Sequence, residues 1–104
     1  DWIARVQARL AGFDALACPT VPILAPHIAP LEPRDAASDA AFFQANGLLL
    51  RNTSAINFLD GCSFSLPCHA PGAMPVGLML SAPGGHDAAL AGVALAVEAL
   101  LAPG

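Results

Sequence analysis

Prolines recur every three or four residues between Pro19 and Pro33, and this stretch constrains the fold more than any other part of the chain. Proline fixes φ and has no amide hydrogen to donate, so neither a helix nor a central strand can continue through these residues. The apolar residues between the prolines, such as Val21 and Ile23, are too many for a solvated linker. The pattern therefore predicts an ordered, extended loop that packs over a surface and separates two structured parts of the chain.

The composition is unusually apolar for a chain of 104 residues, which is at most one small domain. Hydrophobic residues make up 56% and charged residues 12%, whereas roughly 25% charged residues is typical of soluble domains. Either the surface is unusually apolar, or apolar faces are covered by protein that the chain does not include. We favour the second interpretation, because the chain also begins at Asp1 and not at a methionine.

The charge argues against two classes of partner. All four basic residues are arginines and the formal net charge is −4, so neither nucleic acid nor an anionic membrane surface is predicted to bind. The longest apolar run contains Glu98 and is too short to span a bilayer, and no signal peptide is visible. An odd number of irregularly spaced cysteines (Cys18, Cys62 and Cys68) is typical of buried free thiols in a cytoplasmic protein.

The first half of the chain predicts two helices and one strand. Apolar residues spaced three and four apart indicate an amphipathic helix over residues 1–11. Residues 13–18 are a short apolar run ended by a proline, which predicts a buried strand and suggests a parallel sheet. After the proline loop, Ser38 or Asp39 can cap a helix that Gly47 is expected to end.

The second half predicts a further helix followed by a hairpin. The helix covers residues 52–59 and ends at Gly61, where glycine suits a left-handed cap. Two apolar runs, Cys62–Pro67 and Pro75–Leu80, are then separated by a turn rich in proline and glycine. This spacing predicts that the two strands pair antiparallel.

Two apolar features are expected to be buried. Phe42 and Phe43 supply the buried side of the helix after the proline loop. The last helix runs from residue 86 or 87 to about residue 102, and Glu98 is the one polar residue within its apolar run. A helix that is apolar on all sides is normally covered on several of them, which again indicates missing partner surface.

A set of residues accompanies these elements in a fixed order: Asp14-Ala15-Leu16, Pro19-Thr20, Arg51, Asn57, Gly61, Pro67, Pro75-Val76-Gly77-Leu78, Gly85, Asp87 and Glu98. In this order and spacing the chain resembles the C-terminal end of the amidase signature family. The resemblance covers most of the chain except the first helix and the residues in the thirties. Cys62 is a departure, because many members of the family carry proline after the glycine.

The resemblance implies an α/β fold, with residues 1–104 forming the C-terminal portion of a mixed β-sheet sandwiched by helices. The family hydrolyses or transfers amides with a Ser–cis-Ser–Lys triad. This chain contains no lysine, so we expect no catalytic residue within it. The intact parent would cleave a small carboxamide without a cofactor, and the partner of this chain would be the remainder of that parent. The alternative is a non-catalytic subunit or interaction module that completes a partner's sheet.

The reactive side chains are interpreted as structural. Cys62, Cys68 and His69 lack the spacing of metal ligands, and neighbouring residues of a strand point to opposite faces, so no metal site is predicted. For the same reason Cys68 and His69 are not expected to form a nucleophile and base. Thr20 and Val21, immediately after the first strand, are the predicted substrate-binding residues, since ligand sites favour loops at strand ends. Asn57 is expected to hold a neighbouring loop through its amide.

Overall fold

The computed structural model describes residues 1–101, which form an α/β arrangement of three helices and one three-stranded sheet. The elements in chain order are α1 (Trp2–Leu10), β1 (Leu16–Pro19), a short 3-10 helix (Ala29–Leu31), α2 (Ala36–Phe58), β2 (Cys62–Pro67), β3 (Gly77–Ala82) and α3 (Asp87–Leu101). The predicted α/β class is therefore confirmed. The predicted end of the last helix at residue 102 lies outside the described residues. Within residues 1–101, no helix is both long enough and apolar enough to cross a membrane.

The predicted hairpin is confirmed and lies at the centre of the fold. β2 and β3 pair antiparallel without interruption, from Cys62 opposite Ala82 to Pro67 opposite Gly77. The second strand begins at Gly77, two residues later than predicted. The reason lies in Pro75, which has no amide hydrogen for a strand ladder and therefore belongs to the turn.

The prediction of a buried strand in a parallel sheet is wrong for β1. The strand order is β1-β3-β2, and β1 pairs antiparallel with β3, so every pairing within residues 1–101 is antiparallel. The hairpin with β2 sets the direction of β3, and β1 runs antiparallel to β3 whatever helix precedes it in the sequence. Leu16 is 41% exposed, because β1 lies at an edge of the described sheet and only its inner side is paired.

Helices cover both faces of the sheet, as the resemblance implies. On one face, Leu80 and Ala82 of β3 pack with Leu66 of β2 and with Leu90 and Ala94 of α3. On the other face, Met79 packs against the end of α2 and against α1. The residues of this second cluster are Ile3, Val6, Leu10, Cys18, Ile56, Leu59 and Met79. The chain thus has two small cores, one on each side of a single sheet.

The two predicted helices around Gly47 are one continuous helix, α2. Its N-cap is Asp35, whose carboxylate accepts a hydrogen bond from the Ser38 amide at 2.9 Å while the Ser38 hydroxyl accepts one from the Asp35 amide at 3.0 Å. Glycine inside a helix costs about 1 kcal/mol relative to alanine, which is too little to break a helix of 23 residues. The left-handed residue after the helix is Asp60, with φ of 55°, and not Gly61.

Several apolar residues that were predicted to be buried are exposed. Phe42 and Phe43 are 46% and 69% exposed, because the sheet does not extend beneath the first half of α2. Within α3, Leu90 and Ala94 are buried, whereas Leu95 is 67% exposed. The proline loop packs against the fold only over its first part, since residues 21–23 are half-buried and residues 24–30 are exposed.

Candidate functional site

The predicted binding residue Thr20 is fixed where β1 ends, beside the centre of the sheet. Its amide donates a hydrogen bond to the Gly77 carbonyl at 2.9 Å. Its hydroxyl lies 2.5 Å from the hydroxyl of Ser65 on β2. Since β3 lies between β1 and β2, this hydroxyl pair passes over the middle strand and ties both outer strands together.

Gly77 makes this contact between hydroxyl groups possible. A Cβ atom at position 77 would lie 2.6 Å from the Thr20 Oγ1 and 2.7 Å from the Ser65 Oγ, closer than real Cβ atoms approach such groups. Glycine within a strand often marks a close approach by a neighbouring group. The absent side chain at position 77 therefore leaves the space in which the two hydroxyls meet.

The turn at Pro19 and Thr20 is also fixed by a side chain of α2. The Asn52 amide donates a hydrogen bond to the Pro19 carbonyl at 2.8 Å. The amide that holds a neighbouring loop is therefore that of Asn52. Asn57, for which this role was predicted, is exposed and lies beside Ser54 and Phe58 in a separate surface cleft.

Val21 lines a cleft that begins where the turn leaves the sheet. The cleft has a volume of about 240 Å³. Its lining residues are Pro19, Val21, Pro22, Ile23, Leu24, Val76 and Gly77. None of these side chains can take up or release a proton, and the nearby hydroxyls of Thr20 and Ser65 bond to each other. Chemically, such a surface can shape and contact an apolar part of a ligand, but it cannot act as a general acid or base.

Cys68 and His69 lie together after β2 but are not paired with each other. The Cys68 thiol donates to the Val76 carbonyl at 3.6 Å, and the amide of Val76 donates to Nδ1 of His69 at 3.2 Å. A nucleophile and its base must share a hydrogen bond. Here both side chains are engaged by the backbone of Val76 on the opposite side of the hairpin, so the arrangement stabilises the turn.

Cys62 is a weak nucleophile in this structure. Desolvation raises the pKa of its thiol above the ordinary value of 9.0, and the negative charge of Asp87 raises it further. The thiol donates to the carbonyl oxygens of Ala82 and Pro83 at 3.7 and 3.6 Å. Among the described residues, no group of three His, Cys, Asp or Glu side chains is placed to hold a metal ion.

An apolar cleft lies away from the turn, between α1 and α2. Its volume is about 400 Å³ and it is lined by Trp2, Ile3, Ala55 and Phe58. These residues carry no group that could perform acid–base or nucleophilic chemistry. The cleft is an uncovered apolar surface and not a second candidate for a reactive site.

Sequence reasoning singled out Thr20 and Val21, whose binding role stays a prediction, but missed Asn52, Ser65 and Gly77, which fix the turn at Pro19 and Thr20. One signal was present, because a glycine within an otherwise apolar strand suggests a close approach by another group. Nothing comparable identifies Ser65 or Asn52. Their partners are 45 and 33 residues away in the sequence, and only the folded sheet brings them together.

Comparison with known proteins finds an informative relative. The chain is 36% identical over 92 residues to a 2-amino-5-chloromuconic acid deaminase from Comamonas testosteroni. The matched region covers 88% of this chain and 19% of the deaminase, so the chain spans about one fifth of the length of this relative. No protein-family model matches the chain. No solved structure matches it either.

Proposed function

We propose that this chain is the C-terminal part of a hydrolase of carbon–nitrogen bonds from the amidase signature family. The intact protein cleaves a small carboxamide through an acyl-enzyme. The catalytic serines and lysine belong to a part of the polypeptide upstream of this chain. Residues 1–104 supply strands, covering helices and one wall of the substrate pocket.

The observation that carries this proposal is the 36% identity to the deaminase over 88% of the chain. A deaminase, like an amidase, breaks a bond between carbon and nitrogen, so the relative supports a hydrolase of that general kind. The narrower assignment to an amidase rests on the resemblance of the hairpin and its flanking residues to the end of that family.

The chemistry of the chain supports a structural role for this segment. It contains no lysine, and the thiol of Cys68 and the imidazole of His69 are both engaged by the backbone of Val76. An acyl transfer needs a nucleophile with a base within hydrogen-bond distance. Neither that pair nor the uncharged cleft beside Val21 meets this requirement.

The first test is the complete gene. We expect a lysine and a segment rich in glycine and serine upstream of residue 1. The complete protein should release ammonia from a simple carboxamide such as benzamide, and replacing that lysine with alanine should abolish the release. A complete gene without such a segment would contradict the proposal and favour a non-catalytic subunit. Ammonia release that survives the loss of the lysine would contradict the assigned mechanism.

The second test addresses the pocket wall. Thr20→Val in the complete protein removes one hydroxyl beside the cleft, and we expect KM to rise more than kcat falls. Ser63→Ala is the matched control, because it also removes one partner of a hydroxyl pair on the same face of the sheet, the 2.7 Å contact with Ser81. Equal KM values for the two variants would refute the placement of the substrate beside Thr20.

A further inference from the structure

β2 lies at an edge of the described sheet, and the direction of its free backbone groups follows from its pairing with β3. The Cys68 amide donates to the Val76 carbonyl, which makes these two residues a hydrogen-bonded pair. In an antiparallel ladder such pairs alternate with pairs whose backbone groups point outward. The amide and carbonyl groups of Ser63 and Ser65 therefore point away from β3, and both residues are exposed.

This edge lacks the features that normally prevent another strand from pairing with it. Exposed edge strands are usually protected by charged residues, bulges or prolines, or are very short. Residues 61–86 contain no Asp, Glu, Lys or Arg. The six residues of β2 pair with β3 in one continuous register, and its only proline is the last residue, Pro67.

The opposite edge of the sheet, formed by β1, offers fewer free backbone groups than the edge formed by β2. β1 has only four residues, and by the same alternation Ala17 and Pro19 face outward. Pro19 has no amide hydrogen, and its carbonyl accepts the hydrogen bond from Asn52. One residue of β1 is thus left with free backbone groups, whereas β2 offers two successive outward residues.

Helix α3 lies along β2 and provides cover for a strand beyond it. Asp87, at the start of the helix, is near enough to Cys62 for its negative charge to raise the pKa of the thiol. Leu101, at the other end, lines a cleft with Cys68 and His69. The helix packs more extensively on β2 than on the central strand β3. A strand paired beyond β2 would therefore lie beside this helix, which could cover one of its faces.

We infer that the outer edge of β2 pairs with an extended, uncharged strand from the part of the longer polypeptide that this chain does not include. The inference rests on the proposed function. The occupant is assigned to the same polypeptide because the chain spans only 19% of its relative, which leaves four-fifths of a protein of that kind to supply the strand. Its residues that face α3 are apolar, like Leu66 of β2 on that face.

The test compares Ser65→Pro with Ser65→Ala in the complete protein. Both variants remove the hydroxyl that bonds Thr20, but only proline removes the amide hydrogen. That hydrogen points away from β3, so its loss breaks no bond within the described sheet. If a strand pairs there, the Tm of Ser65→Pro should lie at least ~4 °C below that of Ser65→Ala. The amide protons of Ser63 and Ser65 should exchange as slowly as that of Met79, within about tenfold.

Each other result overturns the inference. Equal Tm values with rapid exchange at Ser63 and Ser65 would show an open edge, and would leave the proposed function intact. A lower Tm with rapid exchange would assign the effect to strain at proline. Slow exchange that is lost on dilution would assign the edge to a second copy of the protein. A gene that encodes no further segment would refute both this inference and the proposed function.

Discussion

Replacing Gly77 with alanine should destabilise the chain, because the added methyl group enters the space where two hydroxyls meet. The new Cβ atom would lie 2.6 Å from the Thr20 Oγ1 and 2.7 Å from the Ser65 Oγ. Both atoms belong to short side chains on either side of β3, one directly after β1 and the other on β2. Neither can move away without breaking the hydrogen bond that joins them. The backbone at Gly77 is not in the left-handed region, and the effect is therefore steric.

The magnitude follows from three opposing contributions. Loss of the hydroxyl pair costs at the low end of about 0.5–1.5 kcal/mol, since Ser65 is exposed and water can replace its partner. Displacement of the strands by the extra methyl group costs roughly 1–3 kcal/mol. Alanine is favoured over glycine in a strand by roughly 0.5–1 kcal/mol. The steric contribution dominates, and the expected net loss in the free energy of unfolding is about 1–2 kcal/mol.

The assay is urea unfolding of the chain, followed by the fluorescence of its single tryptophan, Trp2. All variants are compared at one protein concentration, because association shifts the apparent stability. Gly47→Ala is the matched control. A Cβ atom there meets nothing within 4 Å, and alanine should stabilise the helix by about 0.5–1 kcal/mol. In a Ser65→Ala background, Gly77→Ala should cost about 1 kcal/mol less than in the native chain. A Gly77→Ala variant as stable as the native chain would refute the reasoning.

Five further predictions concern the packing of α3, the reactivity and titration of Cys62, the lack of a nucleophile–base pair, and the exposed apolar surface. Leu90 is 1% exposed and Leu95, on the same helix, is 67% exposed. Leu90→Ala should therefore lower the free energy of unfolding by about 2–5 kcal/mol, and Leu95→Ala by less than about 0.5 kcal/mol. Equal losses in urea unfolding would contradict the packing of α3. Because its pKa is raised, Cys62 should react with iodoacetamide more slowly than the exposed Cys68, and Asp87→Asn should accelerate it, as mass spectrometry would show. The same shift predicts that stability is retained below pH 9.0 and falls as the pH rises further, because the unfolded chain then releases the thiol proton first. The chain alone should hydrolyse no aryl amide above background, and turnover that disappears on Cys68→Ala would contradict this. It should also self-associate or bind a hydrophobic dye, and sedimentation as a dye-silent monomer at tens of micromolar would show otherwise.

The hairpin and the last helix could be predicted because their signals are local. An apolar run bounded by Gly61 and the proline-rich turn has few alternatives to a strand, and the long apolar helix begins at a residue with a suitable charge, Asp87. The errors fell where distant parts of the fold decide the outcome. The direction of β1 depends on β3, which lies about sixty residues further along the chain. The continuity of α2 through Gly47 depends on the summed stability of the whole helix, which exceeds the cost of a single glycine.

The candidate site shows the same division. Thr20 and Val21 follow a strand and precede a proline, which is enough to mark them as loop residues at a strand end. The geometry that fixes Thr20 and the neighbouring Pro19 comes from three other elements, through Asn52 on α2, Ser65 on β2 and Gly77 on β3. Hydroxyl and amide side chains have no sequence pattern that distinguishes those with a distant partner from those that face water.

The shape of the chain agrees with a segment of a larger core. Its radius of gyration is 16.4 Å, whereas a compact domain of this length would have a radius of about 13 Å. Its accessible surface is 7065 Å², and a folded monomer of this mass would expose roughly 5,400 Å². The excess is as large as the area buried in a standard protein–protein interface. Part of that excess is apolar, since Phe13, Ile28, Phe58 and Leu100 are each more than 70% exposed. These exposed side chains come from a loop at the start of β1, from the proline loop and from helices on both faces of the sheet. A single small ligand cannot cover surfaces that lie so far apart, whereas the remainder of a longer polypeptide, as proposed above, can.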